Sequence, residues 1–266
     1  MKKIFSIAIL SAMVLGLASC DKIDDPIKPI VVSGGGKTVL LNDYTGVRCV
    51  NCPAAAELAH ELQGVYGDQL IVMSIHAGYL SAPMGPNNDF RTEEGTIWYN
   101  GQSVNPLGSV DRTMLVDGYT LGKDQWEESV KNAFDELQSF ELTLTPQYDS
   151  ESRSVVANIV VEPIMETMGD LYMTACIVED SIIGNQTVPG GVNPEYVHRH
   201  VFRKTFNGAN GSSVHSGLLE PFDNFPCSFT TTLDDNFNEN QCYVLVYIFD
   251  NDTKKIYQTV QEKLIQ

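Results

Sequence analysis

Hydrophobic residues recur along the chain with two different periods, and the change between them falls near residue 140. From Lys37 to about Ser139, apolar runs alternate with helical patterns. Thr38–Tyr44 (TVLLNDY) reads as a strand. Pro53–Tyr66 reads as a helix, with Ala55, Leu58, Ala59, Leu62 and Val65 on one face and the proline in its first turn, where a missing N–H is tolerated. Leu70–Ala77 is a continuous apolar run of the kind carried by a strand buried on both faces. Thr92 is placed to cap a short helix, with Glu93 and Glu94 at its positive end. Gly108–Thr113 and Tyr119–Leu121 read as antiparallel strands about Asp117-Gly118. Asp124 then reads as the cap of a helix that places Trp126, Val130, Ala133, Phe134 and Leu137 on one face. This order predicts an α/β sheet covered by helices over residues 37–139.

After Phe140 the period becomes two. Glu141–Thr145, Ser154–Val161, Leu171–Glu179, His198–Phe206, Cys227–Leu233, Gln241–Phe249 and Lys255–Glu262 read as strands separated by turn-rich segments. About seven strands with no helix between them predict an all-β, sandwich-like unit over residues 140–266.

The start of the chain follows neither pattern. Lys2 and Lys3 precede an apolar run from Ile4 to Leu17, too short to span a bilayer and of the length of a signal-peptide core. Leu17-Ala18-Ser19-Cys20 resembles a bacterial lipobox, which implies cleavage of residues 1–19 and lipid attachment to Cys20. Pro26, Pro29 and Gly34-Gly35-Gly36 make residues 20–36 a tether.

Charge narrows the partners. The 266 residues carry 17 basic and 34 acidic side chains, a formal net charge of −17. Sequence-independent nucleic-acid binding needs clustered Lys and Arg, so no nucleic acid is expected. Loss of Lys2 and Lys3 with the signal makes the mature chain more acidic still. Membrane attachment is therefore expected through the lipid on Cys20, since anionic head groups repel the body. At 43% hydrophobic and 19% charged, the chain has ample material for a core.

The chemistry concentrates at Cys49-Val50-Asn51-Cys52, which follows a strand and opens a helix. A thiol there faces unpaired N–H groups and the positive end of the dipole, which stabilise thiolate. Arg48 adds a cation. Cys49 is thereby the candidate nucleophile and Cys52 the candidate resolving thiol of a redox-active Cys49–Cys52 disulfide. A purely structural disulfide is the first alternative. A metal half-site completed by a residue such as His76 is the second, and no further Cys-x-x-Cys supports it.

At Leu41–Cys52 the chain resembles the thioredoxin superfamily. The resemblance implies a thioredoxin-like N-terminal domain. It makes Asp43 either a buried proton-transfer acid or an ordinary strand-end residue, and makes Pro106 a cis-proline against the active site. Arg48 stands where that superfamily commonly has tryptophan, and Val50-Asn51 is not its common Gly-Pro pair. Thr45–Pro53, Asn105–Arg112 and Tyr196–Arg203 further resemble the thioredoxin-like outer-membrane lipoproteins of the twenty-eight-kilodalton outer-membrane-protein family. This implies a lipid-anchored outer-membrane protein, facing the periplasm or the surface. The resemblance supplies no settled activity. Two functions are expected: thiol–disulfide exchange on a protein substrate, from the anchor and the Cys49, Cys52 and Pro106 constellation, or non-enzymatic binding of a surface partner or ligand, from the surface of the β-rich unit.

Other clusters add less. Cys176, Cys227 and Cys242 permit one bridge. If the strands that carry Cys227 and Cys242 form a hairpin, these two lie about 20 Å apart along it, too far to join. His198 and His200 share a face if they lie in one strand. Asp234-Asp235-Asn236 and Asp250-Asn251-Asp252 read as solvated acidic turns, and Asp180-Ser181-Ile182 resembles a short O-glycosylation signal. Neither a metal nor a cofactor is called for.

Overall fold

The computed structural model describes residues 36–85, 88–115 and 118–265. The expected signal peptide, the lipidated Cys20 and nearly all of the tether lie outside the described residues. Strands β1 (Val39–Thr45) and β2 (Leu70–His76) run parallel, and every residue of both is buried. The helix α1 (Cys52–Tyr66) connects them. Helix α2 (Glu93–Tyr99) starts where Thr92 Oγ1 accepts a hydrogen bond from the Gly95 N–H at 2.9 Å. Strand β3 (Leu107–Val110) then pairs antiparallel with the free side of β1. Helix α3 (Trp126–Phe134) follows a 3-10 turn at Lys123–Gln125, so Asp124 sits inside that turn and does not cap the helix. Tyr119–Leu121 forms no strand and contributes a single bridge from Leu121 to Gly108.

Ten further strands follow. β4 (Phe140–Asp149) and β5 (Ser154–Pro163) form a hairpin, and β6 (Thr167–Glu179) is the longest strand. β7 (Ile182–Val188) and β8 (Gly191–His198) make a separate two-stranded hairpin. β9 (Val201–Thr205), β10 (Ser212–Leu219), β11 (Phe225–Thr232), β12 (Cys242–Asp250) and β13 (Ile256–Lys263) complete the chain. One sheet has the order β11-β5-β4. The largest has the order β13-β12-β6-β9-β2-β1-β3, with β10 also on β6.

That largest sheet corrects the expected fold class. An α/β thioredoxin-like N-terminal domain followed by an all-β sandwich is not what forms: the fold is mostly β, and its strands cross the residue-140 division. β2 pairs with β9 at Ser74 and Val201, and the Ser74 N–H donates to the His200 carbonyl at 2.7 Å. The alternation of side chains along each strand supplies the reason. Val39 and Leu41 of β1, with Leu70 and Val72 of β2, pack on α1 and α3 around the fully buried Trp126. Leu40 and Tyr44 of β1, with Ile71, Met73 and Ile75 of β2, pack instead on Val178, Leu245, Tyr247 and Phe249 from β6 and β12. The opposite faces of β6 and β12, including Met173, Ala175, Val244 and Val246, meet β4 and β5. Helices, strands, strands and strands thus stack over three cores. Where a helix-covered α/β domain needs a second helical layer, this chain supplies strands β6 and β12 of the same sheet.

The remaining expectations resolve locally. His198 ends β8, and His200 has a left-handed backbone (φ 54°), so the two histidines do not share a strand face. β11 pairs with β5 and β12 pairs with β6 and β13, so Cys227 and Cys242 lie in different sheets. Cys176, Cys227 and Cys242 are all free thiols. Burial raises the pKa of each. Leu137, expected on the buried face of α3, is exposed beyond its end.

Candidate functional site

The turn from β1 into α1 is shaped by close backbone packing. A Cβ on Gly46 would fall 2.5 Å from the Leu80 carbonyl oxygen, so only glycine fits. The Cys49 N–H donates to the Gly46 carbonyl at 3.0 Å, and Cys52 is the first residue of α1, with Pro53 in the first turn. Cys49 and Cys52 form a disulfide with Cα atoms 5.4 Å apart. Both are sealed, at 1% and 2% exposure.

The backbone of this turn is tied down by a distant part of the chain. In the β7–β8 hairpin, the Gln186 Nε2 amide donates to the Cys49 carbonyl at 2.9 Å and to the Gly46 carbonyl at 3.3 Å. The Thr187 N–H donates to the Val47 carbonyl at 2.8 Å. Gln186 is itself buried. Sequence reading missed this residue, since its hairpin has no clear alternation and reads as a polar loop.

The other candidate residues are distributed around this turn. Arg48 does not serve as a free cation: its Nε and Nη2 donate to the carbonyls of Ala82 and Pro83 at 2.8 and 2.7 Å and hold the loop after β2. The Asn105–Pro106 bond is cis. Leu107 pairs with Tyr44, and Asn105 Nδ2 donates to the Thr45 and Ala77 carbonyls. Pro106 therefore stands at the end of β1 that leads into the disulfide turn. Asp43 is 1% exposed, and its Oδ1 has no hydrogen-bond partner among the described residues. Burial pushes its carboxyl up to about 7.

Asp43 and Cys52 line one cavity of about 410 Å³, between α1 and β8, with His60, His76, His198 and His200. The rings of His76, Phe90 and His198 stack edge to face, with centroids 4.8–5.6 Å apart. Burial lowers both imidazole pKa values, that of His198 to about 4, so both are neutral at pH 7. Buried neutral imidazoles and an acid raised towards neutrality can exchange protons and hydrogen-bond a polar guest. Among the described residues, no group of three or more His, Cys, Asp or Glu is placed to hold a metal ion, and no helix is long and apolar enough to cross a membrane.

Fold and site together define a β-rich protein with a sealed Cys-x-x-Cys disulfide at a strand-to-helix turn. The chain belongs to the outer membrane protein Omp28 family, whose profile matches residues 96–266, and its place is the outer membrane. Among solved structures, HBP35 of Porphyromonas gingivalis is similar over 86% of this chain and 75% of that chain, with 16% identity and a TM-score of 0.68, which shows a shared fold. A domain of the outer membrane lipoprotein Omp28 from Porphyromonas gingivalis matches 48% of this chain and 90% of that chain, with 13% identity and a TM-score of 0.35. No curated protein matches.

Proposed function

We propose that this protein is a lipid-anchored binding protein of the outer membrane, in which Cys49–Cys52 is a structural disulfide. The observation that carries this reading is the burial of both cysteines, in a turn whose Cys49 carbonyl Gln186 ties down. An exchange disulfide must offer a sulfur to an incoming thiolate, and reactive cysteines are at least partly exposed. Here both cysteines are buried, and the Cys49 carbonyl is bonded from the β7–β8 hairpin. The anchor rests on the Leu17–Cys20 motif. The test is reduction of insulin disulfides by the full chain with dithiothreitol. Wild type and Cys49→Ser are expected to match the uncatalysed rate. Turnover by wild type that Cys49→Ser abolishes would overturn the reading.

One observation favours thiol–disulfide exchange as a second reading. Asp43, whose carboxyl burial pushes up to about 7, lines the same cavity as Cys52, which suits proton exchange with the thiol formed on reduction. Exchange then requires the β7–β8 hairpin to lift. Gln186→Ala is expected to produce insulin turnover under this reading and none under the first.

A further inference from the structure

A second cavity, of about 280 Å³, shares no lining residue with the first. It lies among the end of α2, the segment after β3, the loop before β10 and the turn after β12. At its wall stands Arg112, only 8% exposed. Its guanidinium carbon lies 5.3, 4.9 and 5.7 Å from the ring centroids of Trp98, Tyr247 and Phe249. Its one hydrogen bond among the described residues runs from Nη2 to the Tyr247 hydroxyl, at 2.7 Å. No carboxylate among the described residues lies within ion-pair distance of it.

That is an uncommon way to bury an arginine. A buried guanidinium ordinarily meets a carboxylate, because desolvating an unpaired charge costs more than neighbouring rings return. The backbone is unusual too: Asp111 and Arg112 are consecutive left-handed residues (φ 46° and 49°), a conformation that L side chains resist. Asp111 is accounted for, since it accepts the Leu40 N–H and pairs with Lys37. The turn that satisfies Asp111 delivers Arg112 to the cavity.

The rest of the wall specifies a guest. Lys254 supplies a second cation, and no acid stands among the described lining residues, in a chain of net charge −17. The aromatic surface is held in place: Trp98 Nε1 donates to the Ala209 carbonyl at 2.7 Å, and the Tyr119 hydroxyl donates to the Thr253 carbonyl at 3.1 Å. Asn100, Gln102 and Asn210 bring amides to the same cavity. Cations select an anion, and a guanidinium fork suits a carboxylate. Fixed aromatic faces suit a flat or ring-shaped body, and amides suit hydroxyls. We propose that this cavity binds a carboxylate carried on a six-membered ring, with the acid on Arg112 and the ring against Trp98. An acidic sugar also uses the amides; an aromatic acid uses the rings alone. The inference gives the binding reading a ligand class, and it does not depend on the state of the disulfide.

The test is titration of the full chain in detergent with D-glucuronate, N-acetylneuraminate, 4-hydroxybenzoate and D-glucose, followed by calorimetry and tryptophan fluorescence. At least one ring acid is expected to bind at up to millimolar concentration, with glucose about tenfold weaker or worse. Which acid binds distinguishes the sugar from the aromatic source. Arg112→Lys keeps the charge, loses the fork and is expected to weaken binding about tenfold. Lys254→Gln, at the rim, is expected to weaken it less and to leave the fold intact. Failure of all three acids to bind, equal binding of glucose, or unchanged affinity in both variants overturns the proposal. The insulin assay reads a different site, so failure here leaves the disulfide reading standing or falling on its own result.

Discussion

Gln186 Nε2 donates to the carbonyl of Cys49 at 2.9 Å, a hydrogen bond between residues 137 positions apart. It joins the β7–β8 hairpin to the one turn among the described residues that carries a disulfide. The Gly46 and Thr187 carbonyls share the same amide. Removing it takes one donor from each of three carbonyls, two of them on the disulfide turn, where only the local Cys49 and Cys52 N–H bonds remain. Gln186→Ala is therefore expected to speed reduction of Cys49–Cys52 by a phosphine severalfold. Alkylation and mass analysis over time measure it, and an unchanged rate would show that the hairpin is not what shields the sulfurs.

Asp43 predicts a pH dependence of stability. Its folded carboxyl sits near 7, against 3.8 for the exposed group, because burial disfavours the anion. The folded state keeps a proton that the unfolded chain has already released. Its contribution is complete below about pH 3.8 and is lost as pH rises through about 7. Asp43→Asn cannot titrate. Relative to this variant, wild type is expected to lose roughly 2–3 kcal/mol between pH 5 and pH 8, read from urea unfolding at each pH.

His198 predicts the opposite slope. Its folded pKa is pushed down to about 4, against 6.5 for the exposed group. Stability from the neutral ring is complete above about pH 6.5 and is lost as pH falls towards 4, because the unfolded chain takes up the proton first. His198→Gln is expected to flatten this acid limb by about 2 kcal/mol in the same unfolding series. His76, lowered for the same reason, retains the rest of the limb.

Lys37 and Asp111 form an ion pair at 3.1 Å, with 3% and 1% exposure, where the chain enters β1. Asp111 Oδ1 also accepts the Leu40 N–H at 2.8 Å. Lys37→Met leaves the aspartate buried without its partner. A loss of about 3 kcal/mol is expected at pH 7, since breaking a buried pair strands a charge. Denaturant midpoints for Lys37→Met and for Lys37→Met/Asp111→Leu separate this cost from packing: the double variant is expected to recover part of the loss.

Much of this arrangement was legible in the sequence because local physics decides it. The 3.6-residue period of Ala55, Ala59 and Leu62 gave α1, Thr92 gave the start of α2, and the period-two pattern gave most of the C-terminal strands. The apolar run of β2 also announced burial on both faces, whereas β1 read only as a strand. What they could not carry is the identity of the cover: Ile71 and Met73 are as content against Leu245 and Tyr247 as against a helix, so the expected helical layer was a natural misreading. The β7–β8 hairpin failed for another reason. Gly184-Asn185-Gln186-Thr187 is polar and mostly half-buried, and its value lies in bonds to residues far away in sequence. His76 and His198 were visible as residues, but their shared stack with Phe90 needs the β2–β9 junction that follows β8.

The two-sided burial of β6 and β12 has a consequence for how the chain matures. An exported polypeptide emerges amino-terminus first. Leu40, Ile71 and Met73 leave the translocation channel long before Leu245, Tyr247 and Phe249 arrive to cover them. The α1 and α3 side can close early, but the other side of β1 and β2 stays wet until nearly the last strand has crossed. Folding is therefore late and long-range, with its slowest closure set by the distance along the chain between β2 and β12.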